Sequence, residues 1–171
     1  MKENIASMPV GKIPERGADS VPEKTAVVHG DRRVTYKELN RMVESLAAGL
    51  SDLGFEKGDR VAIYMKSSVE FVATFYALQR LGIIVAWVNP LYRKTEAEFI
   101  LRNSGAKGVV VFREWGGYDY LEALSTMRDK LEPLEWVVVV GEGDGDGVQR
   151  FQDLLVRGAQ KRCEQPVIDT E

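Results

Sequence analysis

Among 171 residues there is one cysteine, Cys163, and one histidine, His29. A single thiol excludes a disulfide framework and a thiolate metal site, and a single imidazole excludes a His-rich one. Positive charge is not in excess either: 23 Lys and Arg face 26 Asp and Glu, for a net charge of −3. No basic stripe interleaves with aromatics, so nucleic acid is not an expected partner. Uninterrupted apolar length is also lacking. A membrane-spanning helix needs about 20 consecutive apolar residues, and the longest candidate, Phe71–Val88, is broken by Gln79, Arg80 and Gly82. It reads as a buried helix followed by a buried strand. The opening residues have no apolar core of a secretory leader, so a cytoplasmic location is expected.

What is present suits one α/β core: 44% of residues are hydrophobic and 29% charged. Three times a Ser or Thr is followed three positions later by Glu, then by a helical apolar stripe and a glycine. Thr35 and Glu38 lead to Gly54, Ser67 and Glu70 to Gly82, and Thr95 and Glu98 to Gly105. Each pair predicts a capping box, and each glycine a left-handed helix end. Between and after these helices lie the β-rich runs Arg60–Met65, Ile83–Val88, Val109–Phe112 and Trp136–Val140. Short Val/Ile runs are what strands buried on both faces look like. Alternating strand and helix predicts a mostly parallel sheet flanked by helices, three-layered and doubly wound. Gly30-Asp31 between β-prone runs predicts an N-terminal β-hairpin. Asp119–Leu131 and Phe151–Val156 read as helices, and residues 1–18 as an extended or poorly ordered arm.

The ordered set Thr35-Tyr36-Lys37-Glu38-Leu39, Gly58-Asp59-Arg60-Val61-Ala62-Ile63, Ser68-Val69-Glu70-Phe71, Leu81-Gly82-Ile83, Val88-Asn89-Pro90-Leu91-Tyr92 and Asn103-Ser104-Gly105-Ala106-Lys107 resembles the N-terminal part of the AMP-forming acyl-CoA synthetases. These belong to the adenylate-forming enzymes. The resemblance runs from about Pro22 to Gly141, and the Asn-Pro-Leu-Tyr turn is similar to the branch acting on fatty or aromatic acids. Trp87 departs from the smaller residue expected before that turn. The resemblance implies that a carboxylic acid attacks ATP to give acyl-adenylate and pyrophosphate, and that CoA then displaces AMP. ATP, CoA and Mg would serve the complete enzyme.

The family's Ser/Thr/Gly-rich phosphate loop ending in Pro-Lys-Gly and its later catalytic lysine have no counterpart in this sequence. Residues 19–171 are therefore expected to form an N-terminal subdomain truncated before that loop. Alone it would be inactive, with no bound cofactor, no catalytic residue and no metal site. Its partners would be the remainder of the ligase chain, or other copies through a face left bare. The alternative is a stand-alone doubly wound ligand-binding or interaction module.

One candidate contact stands out. Arg93 and Lys94 lie between a strand's C-terminal end and a helix start, the edge where open α/β sheets bind ligands. In the complete enzyme they are candidates for a CoA phosphate contact; the competing reading is a solvated turn. Other features have plainer readings. Glu142, Asp144 and Asp146 in the Gly141–Gly147 stretch would repel phosphate, and as a calcium loop the stretch puts Arg150 at the ninth position. It reads as an acidic surface turn. His29 reads as a turn residue, Cys163 as an exposed thiol, Ser67 as an N-cap, and Glu96 and Glu98 as pointing to different helix faces.

Overall fold

The computed structural model describes residues 8–161. In chain order, a 3-10 turn (Val10–Lys12) leads into α1 (Ile13–Ser20), the hairpin β1 (Thr25–His29) and β2 (Arg32–Thr35), then α2 (Tyr36–Asp52) and β3 (Arg60–Tyr64). Next come α3 (Val69–Arg80), β4 (Ile84–Trp87), α4 (Lys94–Ser104) and β5 (Gly108–Phe112). A small hairpin of β6 (Glu114–Trp115) and β7 (Tyr118–Asp119) precedes α5 (Tyr120–Ser125). The chain closes with β8 (Trp136–Val140), β9 (Val148–Arg150) and α6 (Phe151–Ala159).

The central sheet has five parallel strands in the order β4-β3-β5-β8-β9. Side chains alternate between its faces, as the pleat requires. Val61, Ile63, Val110 and Val138 share one core with α2, α3 and α6. Ala62, Tyr64, Val109, Val111, Val137 and Val139 share the other with α4 and α5. Burial on both faces explains the near-continuous Val/Ile runs of β3, β5 and β8, whereas β4, also expected to be buried, is an edge strand with Ile84 and Trp87 exposed; the three-layer, doubly wound expectation holds. So does the N-terminal hairpin, which turns at Gly30 with φ 58°.

Of the three expected capping boxes only the first forms. Thr35 and Glu38 form theirs: Thr35 Oγ1 accepts from Glu38 N at 3.2 Å, and Glu38 Oε2 accepts from Thr35 N at 2.8 Å. At α3 the cap is Ser68, not Ser67. Its Oγ accepts from Phe71 N at 3.1 Å, and Glu70 is left to pair with Arg32 at 2.7 Å. At α4 the N-cap is Arg93, so Thr95 is already helical. Glu96, not Glu98, reaches back to Arg93 N at 3.3 Å, while Glu98 pairs with Lys130 at 3.0 Å. An arginine side chain has no acceptor, so only this half of a box exists. The helix ends as expected, at Gly105 with φ 61°.

The extended arm is also corrected. From Val10 onward it is helical, with Pro14 in the first turn of α1, where a missing N–H costs nothing. Residues 1–7 lie outside the described residues. Arg80, at the end of α3, holds this segment. Its side chain is 1% exposed; Nε donates to Gly11 O at 3.4 Å and Nη2 to Asn40 Oδ1 at 2.9 Å. Glu15 and Glu44 flank it at 3.6 and 3.5 Å. The expected 119–131 helix splits into α5 and a 3-10 turn, Arg128–Lys130. Ser125 and Thr126 turn their hydroxyls back onto the carbonyls of Glu122 and Ala123, which competes with helix continuation.

Candidate functional site

The strand order contains a reversal. From β3 the chain crosses by α3 to β4 on one side, then returns by α4 to β5 on the other side of β3. The two connecting helices pack on opposite faces of the sheet. Such a reversal opens a crevice at the carboxyl ends of the strands, where open α/β sheets bind ligands. In this chain that edge is built by residues 65–68 after β3, 88–93 after β4 and 113–115 after β5. Lys66 Nζ reaches across it to lie 5.6 Å from the centre of the Trp115 ring.

A cleft of about 520 Å³ opens here, lined by Lys66, Ser67, Phe71, Trp87, Asn89 and Tyr92 among others. The Trp87 ring packs against Phe71 and Phe75, with centroids 5.2 and 5.6 Å away, and remains 51% exposed. The wall after β4 is a tight turn. Tyr92 N donates to Asn89 O at 3.0 Å, and Asn89 Oδ1 accepts from Leu91 N at 2.9 Å. That Asx-type bond is why Asn-Pro suits the position. The cleft therefore combines the aromatic rings of Phe71, Trp87 and Tyr92 with short polar groups and one cation, Lys66.

The two candidate residues differ in their surroundings. Arg93 Nη1 donates to the carbonyls of Pro90, Leu91 and Tyr92 at 3.3, 3.1 and 3.1 Å. Its guanidinium lies 4.4 Å from the centre of the Tyr118 ring. Lys94 is exposed at the first position of α4, and its side chain has no hydrogen bond or ion pair with the described residues. The Glu96 carboxylate already occupies one of the helix-start amides, so that N-terminus is not an open anion cradle.

Sequence reasoning missed a group of tyrosines beneath the turn. Tyr64 and Tyr120 are fully buried, meet edge to face with centroids 4.9 Å apart, and donate their hydroxyls to Tyr92 O and Pro90 O. Burial raises the Tyr64 phenol, and Tyr118 and Tyr120 add to the shift. Burial also raises that of Tyr120, against the lowering effect of Arg93. Both hydroxyls are therefore held as protonated donors. The available signal was Gly116-Gly117 between Glu114-Trp115 and Tyr118-Asp119: both glycines have positive φ, 61° and 72°, as a tight hairpin turn requires.

The other sequence candidates are not drawn into this site. His29 is exposed in the hairpin, and Cys163 lies outside the described residues. Glu142 of the acidic turn pairs with Arg150 at 2.9 Å. Among the described residues no group of three or more His, Cys, Asp or Glu side chains is arranged to hold a metal ion.

The model of the AMP-binding enzyme family matches residues 14–166. Triostin synthetase I of Streptomyces triostinicus is 34% identical over 134 residues, 78% of this chain and 25% of that protein. The mitochondrial medium-chain acyl-CoA ligase ACSF2 of Homo sapiens is 33% identical over 133 residues, 77% of this chain and 22% of that protein. The chain thus spans about a quarter of the length of these curated relatives. The anthranilate CoA ligase AuaEII, solved with anthranoyl-AMP, superposes with a TM-score of 0.78 at 28% identity, over 97% of this chain and 30% of that one. A long-chain-fatty-acid-CoA ligase from Archaeoglobus fulgidus shares the fold with a TM-score of 0.82 at 24% identity, over 95% of this chain and 32% of that one.

Proposed function

This chain belongs to the AMP-binding enzyme family, and from that premise we propose that it forms the N-terminal part of an ATP-dependent, AMP-forming acyl-CoA synthetase. The observation that carries this is the family match over residues 14–166, joined to acyl-CoA ligase relatives of which the chain spans under a third. In the proposed reaction a carboxylic acid attacks the α-phosphate of ATP, giving acyl-adenylate and pyrophosphate, and the CoA thiol then displaces AMP. This chain contributes the doubly wound scaffold and one wall of a ligand cleft. Its partner is the remainder of the ligase.

CoA is assigned to the turn after β4. Lys94, whose side chain has no partner among the described residues and which follows the turn that lines an aromatic cleft, suits a phosphate of a nucleotide-bearing ligand, and Arg93 holds the same turn. An exposed charge of this kind contributes a few tenths to about 1 kcal/mol. The sequence has no Pro-Lys-Gly phosphate loop to hold the nucleotide phosphates that Mg would accompany. ATP and Mg are therefore assigned to the remainder of the ligase.

The test is direct. The 171-residue chain, incubated with ATP, Mg, CoA and a panel of fatty and aromatic acids, is expected to release no pyrophosphate. A longer ligase containing this sequence is expected to release it only with its cognate acid. Turnover by the short chain above a buffer blank, in protein free of host ligase, overturns the assignment.

A further inference from the structure

The turn after β4 is held by more than its own bonds from Tyr92 N to Asn89 O and from Leu91 N to Asn89 Oδ1. Three of its carbonyls also take side-chain donors: Pro90 O from Tyr120 and Arg93, Leu91 O from Arg93, and Tyr92 O from Tyr64 and Arg93. The donors come from three separate places in the chain. Tyr64 ends β3, Tyr120 begins α5, and Arg93 is the N-cap of α4. The Arg93 guanidinium lies over the ring of Tyr118, which the small β6–β7 hairpin presents. All three Arg93 bonds leave from one nitrogen, Nη1, so what arginine adds here is the planar group laid over the Tyr118 ring. A lysine carries the same charge but lacks that plane.

We propose that Tyr64, Tyr120 and Arg93 form a latch that sets the shape of the 89–93 turn, making all three positioning residues for the ligand that meets it. Arg93 then acts through the carbonyls it holds, and of these two neighbours it is Lys94 that offers its charge to the ligand. The role in ligand binding rests on the reading that this turn meets CoA. The shaping of the turn does not. Phenylalanine at position 64 or 120 keeps the ring and its edge-to-face contact but removes the bond to the carbonyl, which isolates the latch from the packing.

Two measurements separate these statements. In the 171-residue chain, hydrogen exchange of the Leu91 and Tyr92 amides reads the turn, since both are bonded within it. Tyr64→Phe, Tyr120→Phe, Arg93→Lys and Arg93→Ala are each expected to speed that exchange by about tenfold (~1.4 kcal/mol), with β5 and β8 amides unchanged. In the longer ligase, Arg93→Lys is expected to raise the KM for CoA as much as Arg93→Ala does, with little dependence on salt. Lys94→Ala is expected to raise it several-fold, by an amount that shrinks at high salt. If Arg93→Lys keeps wild-type exchange and KM, Arg93 acts by charge and the latch is overturned. If the turn loosens in every latch variant while CoA binding changes in none of them, nor in Lys94→Ala, the shaping stands and the CoA assignment falls.

Discussion

Gly158 shows how much a single missing methyl decides in this core. A Cβ there would lie 1.8 Å from Ser45 O and 2.7 Å from its carbonyl carbon, so the obstacle is the backbone of α2 and not a movable side chain. Gly49, on α2, meets the Leu154 carbonyl in the same way at 2.7 Å. Overpacking a core commonly costs about 1–3 kcal/mol, and here the helices themselves must part. Gly158→Ala is expected to reach about 3 kcal/mol, which lowers Tm by about 6–12 °C for a chain of this length. An unchanged thermal melt would contradict so close a crossing. From sequence, a glycine inside a helix reads only as a weakness of about 1 kcal/mol; its reason lies more than a hundred positions away. The same limit hid the tyrosine latch. Tyr64 and Tyr120 look like ordinary core aromatics until the turn their hydroxyls serve is folded over them.

At the scale of the element, local chemistry was legible where only one residue could do the job. Thr35 with Glu38, and Gly30 in its turn, read correctly because nothing adjacent competes. Ser67 and Ser68 are chemically equal, and the choice fell to packing: starting α3 at Val69 buries Val69, Ala73 and Ala77 together. The helix at residues 13–20 was illegible because its partner is a buried cation. Arg80 ties Gly11 O to Asn40 from inside the protein, and an arginine at the end of an apolar helix normally reads as a surface group. Arg80→Met is expected to leave those acceptors unsatisfied, at about 1–3 kcal/mol. The relief of an undone charge burial offsets part of that cost. Hydrogen exchange should accelerate in α1 well before it does in β5 and β8. Equal protection of α1 in wild type and variant would mean that the segment docks by other contacts.

For the molecule as a whole, the parallel core was readable from the βα rhythm, but the strand order was not, since it depends on which side of β3 each crossover takes. That order leaves β4 at an edge, with Ile84 52% and Trp87 51% exposed. An open edge carrying large apolar groups invites another strand. We expect the 171-residue chain to self-associate at high concentration, and Ile84→Lys to restore the monomer in light scattering. A wild-type chain that stays monomeric at every concentration would rule this out. The α2–α6 crossing has a further consequence, for the order in which the protein can be made. Ser45 and Gly158 lie 113 positions apart (158 − 45), yet each helix covers the other's share of the core. Closing a loop that long brings no reward until both ends are present, and non-local pairings of this kind are slow to form. On the ribosome, the part of α2 that α6 covers must wait until Phe151–Ala159 has left the exit tunnel. Synthesis of this domain therefore passes through a stage in which that part of α2 is available to chaperones, and the emergence of α6 ends it.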